Sequence, residues 1–113
     1  MGNEYYPEAL GGVVRFVSKH LKQPIMITEN GIGTDNDERR IAFIDQALKG
    51  VQACISDGIR VIGYMHWSLL DNFDWQLGYS KTFGLIEVDR STQERKPKPS
   101  AYHLGNIARD NSI

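Results

Sequence analysis

The chain has 113 residues, 41% hydrophobic and 24% charged, with a formal net charge of −1, which bounds it to a single globular domain at most. Its basic residues are scattered, which argues against a nucleic-acid or anionic-membrane surface. No apolar run approaches the ~20 residues that a membrane span needs, and the polar start Met1–Glu4 is unlike a signal peptide.

In chain order, Tyr6-Pro7-Glu8 reads as a helix start with Pro7 early in the first turn. Leu10, Val13, Val14, Val17 and Leu21 then recur at helical spacing. Gln23-Pro24 stops that helix. Ile25 to Thr28 is short, β-branched and apolar on both faces, as a buried parallel strand should be. Glu29 follows directly, and Gly31, Gly33, Thr34, Asp35 and Asn36 form a loop. A longer helix begins at Asp37-Glu38, with acids at its amino end. Its apolar stripe is Ile41, Ile44, Leu48, Val51 and Ile55, and Gly58 terminates it. Ile59 to His66 reads as a second strand. A long loop from Trp67 follows, in which Phe83 to Val88 is a short extended piece. Lys96-Pro97-Lys98-Pro99 breaks the chain before a last helix, expected to be capped by Ser100 and to share a face of Leu104, Ile107 and Ala108.

Helix, strand, helix, strand, long loop, helix is the order of right-handed βαβ units with a parallel sheet. Two such strands make no stable sheet alone, and their unpaired edges call for neighbours. The single cysteine, Cys54, leaves no partner for an internal disulfide; it reads as a small buried helix residue in a reducing, cytoplasmic compartment. His20, His66 and His103 lack metal-ligand spacing, so no metal site is expected.

Two strand ends carry the chemistry. A glutamate closing an apolar strand is costly unless something uses it, and β/α barrels place reactive groups where a strand hands over to its loop. The first strand end reads Ile27-Thr28-Glu29-Asn30-Gly31. The second reads His66-Trp67-Ser68-Leu69-Leu70-Asp71-Asn72-Phe73-Asp74-Trp75. With Gly78-Tyr79-Ser80-Lys81-Thr82-Phe83-Gly84-Leu85, Lys96-Pro97-Lys98-Pro99-Ser100 and Tyr6-Pro7-Glu8-Ala9-Leu10, these segments resemble the carboxy-terminal part of family 1 glycoside hydrolases, the β-glucosidase family. The resemblance runs over essentially the whole chain. It implies an α/β fold, the last quarter of an eight-stranded (β/α)8 TIM barrel. Residues 1–113 would be one partial domain, running from the sixth helix to the eighth.

The same resemblance implies residue roles. A retaining glycosidase needs one carboxylate to attack the anomeric carbon and a second to protonate the leaving oxygen. Glu29 resembles the attacking group; the bland alternative is a solvated loop glutamate. The partner acid of the family sits in an Asn-Glu-Pro segment that does not occur here, and Asn3-Glu4-Tyr5 is a poor substitute. Trp67 resembles the aromatic platform under the sugar ring, against the alternative of a core tryptophan. Asp74 stands where the family more often has glutamate, as an acceptor for sugar hydroxyls. Trp75 resembles a second sugar contact, against simple loop packing, and Phe83 a residue bordering the sugar.

Asp71 and Asn72 are expected to tie the loop to its own backbone, with Tyr79 and Ser80 as scaffold. Thr82 replaces an arginine common in the family, which removes a cation near the pocket rim. His66 reads as a packed strand-end residue rather than a catalyst. Lys96 and Lys98 read as a solvated pair without a phosphate-binding pattern, which favours unphosphorylated sugars. The implied function is that of a retaining β-glucosidase fragment, holding the nucleophile but not the acid/base glutamate. It would use no cofactor and act on a β-glucoside, and the isolated chain would be inactive. The rival reading is a non-catalytic sugar-binding or barrel-assembly module that self-associates or pairs with complementary barrel pieces.

Overall fold

Pro7 leads into the first helix, α1 (Ala9–His20), which ends where Leu21 turns extended ahead of Pro24. The computed structural model describes residues 4–113. Met1–Asn3, with most of the polar start and the Asn3 of Asn3-Glu4-Tyr5, lie outside the described residues. On α1 the predicted stripe narrows. Val14 is buried and Leu10 packs beside it, whereas Val13 and Leu21 face outward.

Strand β1 (Ile25–Ile27) pairs in parallel with β2 (Val61–Tyr64). The parallel direction is the one predicted, and each strand is shorter than the sequence implied. Backbone pairing nonetheless continues past their ends, through Met65 N–H to the Ile27 carbonyl at 2.8 Å and Trp67 N–H to the Asn30 carbonyl at 2.9 Å.

Between the strands runs α2 (Asp37–Ser56), whose Asn36 side chain caps the Arg39 N–H. Its buried positions are Arg40, Phe43, Ile44, Ala47, Leu48, Val51 and Cys54, an i, i+3, i+4 series. Cys54 takes the core place expected of Ile55, which is exposed. Gly58, at φ 86°, stops the helix as read from the sequence. One face of α2 joins Val51 and Cys54 to Val14 and Ile27, and Ile25, Val61 and Tyr64 complete that cluster. The other face joins Ile44 and Leu48 to Leu85, under the last helix.

The long loop contains an antiparallel hairpin that the sequence reading missed as a pair, β3 (Ile86–Val88) with β4 (Arg95–Pro97). Its strands are three residues each, too short for an alternating pattern to show. The turn is built by Asp89, whose Oδ1 accepts from Ser91 N–H at 2.8 Å and Thr92 N–H at 3.0 Å. The Ser91 hydroxyl and these amides draw the Asp89 carboxyl down to a pKa of about 2.

The last helix, α3 (Pro99–Asp110), departs from expectation at its start. Lys98 holds the cap position without a side-chain bond, and Pro99 opens the first turn. Ser100 is not the cap. It is fully buried, and both its N–H and its hydroxyl donate to Asp37 of α2, at 2.8 and 2.7 Å. The carboxylate of one helix thus satisfies the amino end of another. On the inner face Ala101, rather than the exposed Ala108, accompanies Leu104 and Ile107.

Candidate active site

The carboxyl ends of β1 and β2 meet in a tight backbone junction. Asn30 accepts Trp67 N–H through its carbonyl, and its side-chain oxygen accepts the Tyr64 hydroxyl at 3.0 Å. Burial raises the Tyr64 pKa well above its usual value, so this phenol keeps its proton for that bond. Gly31 lies against the next strand so closely that a Cβ there would sit 1.9 Å from the Trp67 carbonyl oxygen. Glycine is therefore required in the Glu-Asn-Gly segment by close approach.

Beyond Trp67 the chain zips onto the segment before β3. Ser68 N–H donates to the Phe83 carbonyl at 3.1 Å, Leu85 N–H returns to Ser68 at 2.9 Å, and Ile86 N–H reaches Leu69 at 2.9 Å. The peptide between Trp67 and Ser68 is cis. Glu29, Trp67 and Phe83 therefore lie on three segments joined by short backbone bonds. Glu29 is exposed and has no ion-pair partner among the described residues. Trp67 is 44% exposed, so its ring is not swallowed by the core.

Asp74 and Trp75 lie farther along, in a turn closed by paired bonds between Asp74 and Gly78. Asp74 Oδ1 accepts from Gln76 and Leu77 N–H at 3.0 and 2.8 Å, while Oδ2 accepts from none of the described residues. Trp75 is 95% exposed. Among the described residues its ring is not packed into the loop.

Asp71 and Asn72 do tie the loop to itself. Asp71 Oδ1 accepts Gly84 N–H at 2.8 Å, and the Asn72 amide donates to the Ser68 hydroxyl at 2.9 Å. Lys98 corrects the sequence reading. It is no solvated lysine, because its ammonium lies 2.8 Å from Asp71 Oδ1 with side-chain exposures of 14% and 9%, and it also donates to the Gly84 carbonyl. Lys96 is exposed, as expected.

His66 is packed below the junction. Both ring nitrogens are buried with no hydrogen-bond partner, and burial lowers its pKa to about 4, so the imidazole is neutral near pH 7. Arg40 was not foreseen as a site residue. Its guanidinium reaches the Thr82 carbonyl at 2.8 Å, so Thr82 has a cation beside it. An arginine on a predicted helix carries no signal of burial; only the Asp37-x-x-Arg40 spacing hinted at a pair.

No group of three or more His, Cys, Asp or Glu among the described residues is arranged to hold a metal ion. No helix of the described residues is long and apolar enough to cross a membrane.

A parallel strand–helix–strand unit with a carboxylate at one strand end and an exposed indole just beyond the next matches the corner of a β/α barrel, where reactive groups sit at strand ends. Comparison with known proteins makes this specific. The model of Glycosyl hydrolase family 1 matches residues 1–113, and the chain belongs to that family. It is 37% identical over 123 residues to a 1,4-beta-D-glucan glucohydrolase from Thermotoga neapolitana, covering 100% of this chain and 28% of that protein. It is 41% identical to a 6-phospho-beta-galactosidase from Staphylococcus epidermidis, over 96% of this chain and 26% of that protein. The apo structure of beta-glucosidase 1317 matches with a TM-score of 0.92 at 55% identity, over 96% of this chain and 27% of that one. The chain thus spans about a quarter of the length of these relatives. Its architecture is the carboxy-terminal part of the family's barrel.

Proposed function

We propose that, within a complete barrel, this segment supplies the nucleophile of a retaining β-glucosidase that hydrolyses terminal, non-reducing β-D-glucosyl bonds, with galactosyl and fucosyl as further candidates. The observation that carries the reading is the position of Glu29: an exposed carboxylate just past the end of β1, without an ion-pair partner among the described residues and one residue before the backbone bond to Trp67.

Glu29 attacks the anomeric carbon to form a glycosyl ester, while a second carboxyl ~5–5.5 Å away protonates the departing oxygen and then activates water. That second group has to come from elsewhere in the barrel, since these 113 residues contain no Asn-Glu-Pro segment. Trp67 lies under the carbon–hydrogen face of the sugar. The free oxygen of Asp74 accepts a sugar hydroxyl, and Trp75 and Phe83 border the ring. No cofactor enters this chemistry. The sequence carries no phosphate-binding pattern beside Lys96 and Lys98, which favours an unphosphorylated β-glucoside as substrate. The setting is cytoplasmic, on the strength of a single free, buried Cys54.

Inactivating a barrel-length protein that carries this segment with a 2-deoxy-2-fluoro-β-glucoside, then mapping the adduct, tests the assignment; the label belongs on Glu29, and a label elsewhere refutes it. The 113-residue polypeptide alone is expected to give no turnover of an aryl β-glucoside.

A barrel-assembly role has its own support. Met26, Ile62 and Met65 are exposed on or just beyond the two-stranded sheet, a surface suited to complementary barrel pieces or to a second copy. Sedimentation of the isolated chain decides it: a monomer at all concentrations, with no uptake of the complementary piece, rules it out.

A further inference from the structure

Arg40 is a charged side chain with 1% exposure, a costly placement unless its bonds repay it. Those bonds converge on two loops. One terminal nitrogen is paired with Asp37. The other donates to the carbonyl of Thr34 and, at 2.8 Å, to that of Thr82. The two threonines also hold each other, with Thr34 N–H 3.0 Å from the Thr82 carbonyl and the Thr82 hydroxyl 2.9 Å from the Thr34 carbonyl.

Thr34 lies in the loop that begins at Glu29. Thr82 adjoins Phe83, whose carbonyl accepts the N–H of Ser68, the residue after Trp67. Asp37 is in turn anchored by Ser100 of α3. Burial alone would raise the Asp37 pKa, but the bonds from Ser100 and Arg40 outweigh it and hold the group below the usual carboxylate range, so the anchor stays ionised at neutral pH. A continuous path of bonds therefore runs from α3 through Asp37 and Arg40 into both loops.

We propose that Arg40 is a positioning residue: its planar guanidinium, bridging the Thr34 and Thr82 carbonyls, fixes the loop of Glu29 relative to the loop of Trp67 and Phe83. The inference rests on Glu29 being the nucleophile. Lysine cannot replace the arginine, because a single ammonium on a flexible stem lacks the rigid fork that meets Asp37 and two carbonyls together. A loop displaced by about 1 Å can cost a reaction ~100-fold without removing any reacting group.

The test uses a barrel-length protein carrying this segment, with Arg40→Lys and the near-isosteric Thr82→Val. Inactivation by the fluoro-glucoside gives a saturating rate constant and a half-saturating concentration, and thermal unfolding is followed alongside. Arg40→Lys is expected to lower the rate constant at least ~10-fold with half-saturation changed less than ~3-fold, the signature of misplacement rather than lost binding. Thr82→Val is expected to act in the same direction, by about 3-fold, since it removes the hydroxyl's bond to the Thr34 carbonyl and its longer contacts with Arg40 and Asp35, and it decides the matter where Arg40→Lys does not fold. A wild-type rate constant in the folded variant, with or without a lower unfolding midpoint, marks Arg40 as purely structural and overturns the proposal. An adduct away from Glu29 in the unsubstituted protein sinks the nucleophile assignment instead, so the two failures are distinct.

Discussion

The junction at the strand ends and the tip of the long loop are built on opposite principles. The junction is held by bonds between residues far apart in sequence: Asn30 with Trp67, Tyr64 with Asn30, Arg40 with Thr82, and Lys98 with Asp71. It has no spare space, since a Cβ on Gly84 would lie 2.2 Å from the Asp71 nitrogen. The tip, from Phe73 to Tyr79, is held by its own few residues: the Asp74–Gly78 pairing, the Asp74 turn, and the edge-on contact of Phe73 with Tyr79 at 5.3 Å. Its tie to a distant part of the chain is the Arg90 guanidinium over Tyr79, 4.4 Å from the ring centre. A junction of this kind fixes where a reacting carboxylate stands, whereas a local tip can present aromatic and acidic groups at little cost to the fold. Damage to the first should be read in folding or chemistry, and damage to the second in binding alone.

The sharpest test of that division separates chemistry from folding within the junction. Glu29→Ala in a barrel-length protein is expected to lower kcat by on the order of 10⁴-fold or more. The unfolding midpoint should stay put, because the side chain is exposed and has no ion-pair partner among the described residues. Steady-state kinetics beside thermal unfolding reads both quantities, and a large midpoint shift would place Glu29 with the scaffold.

Lys98→Met should do the reverse. It leaves Asp71 buried with a charge and only Gly84 N–H as a bond partner, a change that costs about 3–5 kcal/mol. Urea unfolding should reveal it, and Asp71→Asn, which keeps an acceptor for Gly84, should cost less. Equal and small effects from both would mean that the pair is solvated, and the contrast between junction and tip would lose its main support.

How much of this could be read from the chain beforehand follows the same division. The βαβ order, the parallel pairing and the strand-end placement of Glu29 and Trp67 were legible, because buried parallel strands are continuous apolar runs and their ends are marked by polar residues. The fates of Arg40, Lys98 and Ser100 were not. Each is polar and has a partner 27 to 63 positions away, as with Lys98 and Asp71, Arg40 and Thr82 or Ser100 and Asp37, and nothing in local periodicity encodes such a bond. Lys98 shows the cost: beside Lys96 and two prolines it has the composition of a surface, yet the loop folds over it. The β3–β4 hairpin was missed for a simpler reason, since three-residue strands are too short to carry a pattern and only Asp89 with Ser91 and Thr92 marked the turn.

A smaller effect sharpens the picture of the junction through pH. The His66 pKa falls from 6.5 to about 4 on folding, chiefly through burial. The unfolded chain therefore takes up a proton near pH 6.5 that the folded chain refuses until about pH 4. Stability is fully present above pH 6.5 and is lost as pH falls through that window, by about 3 kcal/mol at most. His66→Phe should remove this slope between pH 6.5 and 4 while leaving the loss at lower pH to carboxylates such as Asp89. Denaturant midpoints across that range measure it, and an unchanged slope in the variant would show that another group titrates there.

The mildest substitution probes the tip. Trp75 is 95% exposed, so Trp75→Ala should leave stability within about 0.5 kcal/mol of the original. If the indole borders the sugar, its loss should weaken binding of a glucose-like inhibitor by about 10-fold, the worth of one aromatic contact. The saturating rate of labelling should change far less, since the tip does not set the position of Glu29. Titration calorimetry on the barrel-length protein, run beside the labelling kinetics, separates the two. A fall in the labelling rate with affinity intact would mean that tip and junction move as one body, and that local bonds at Asp74 transmit more than their short reach suggests.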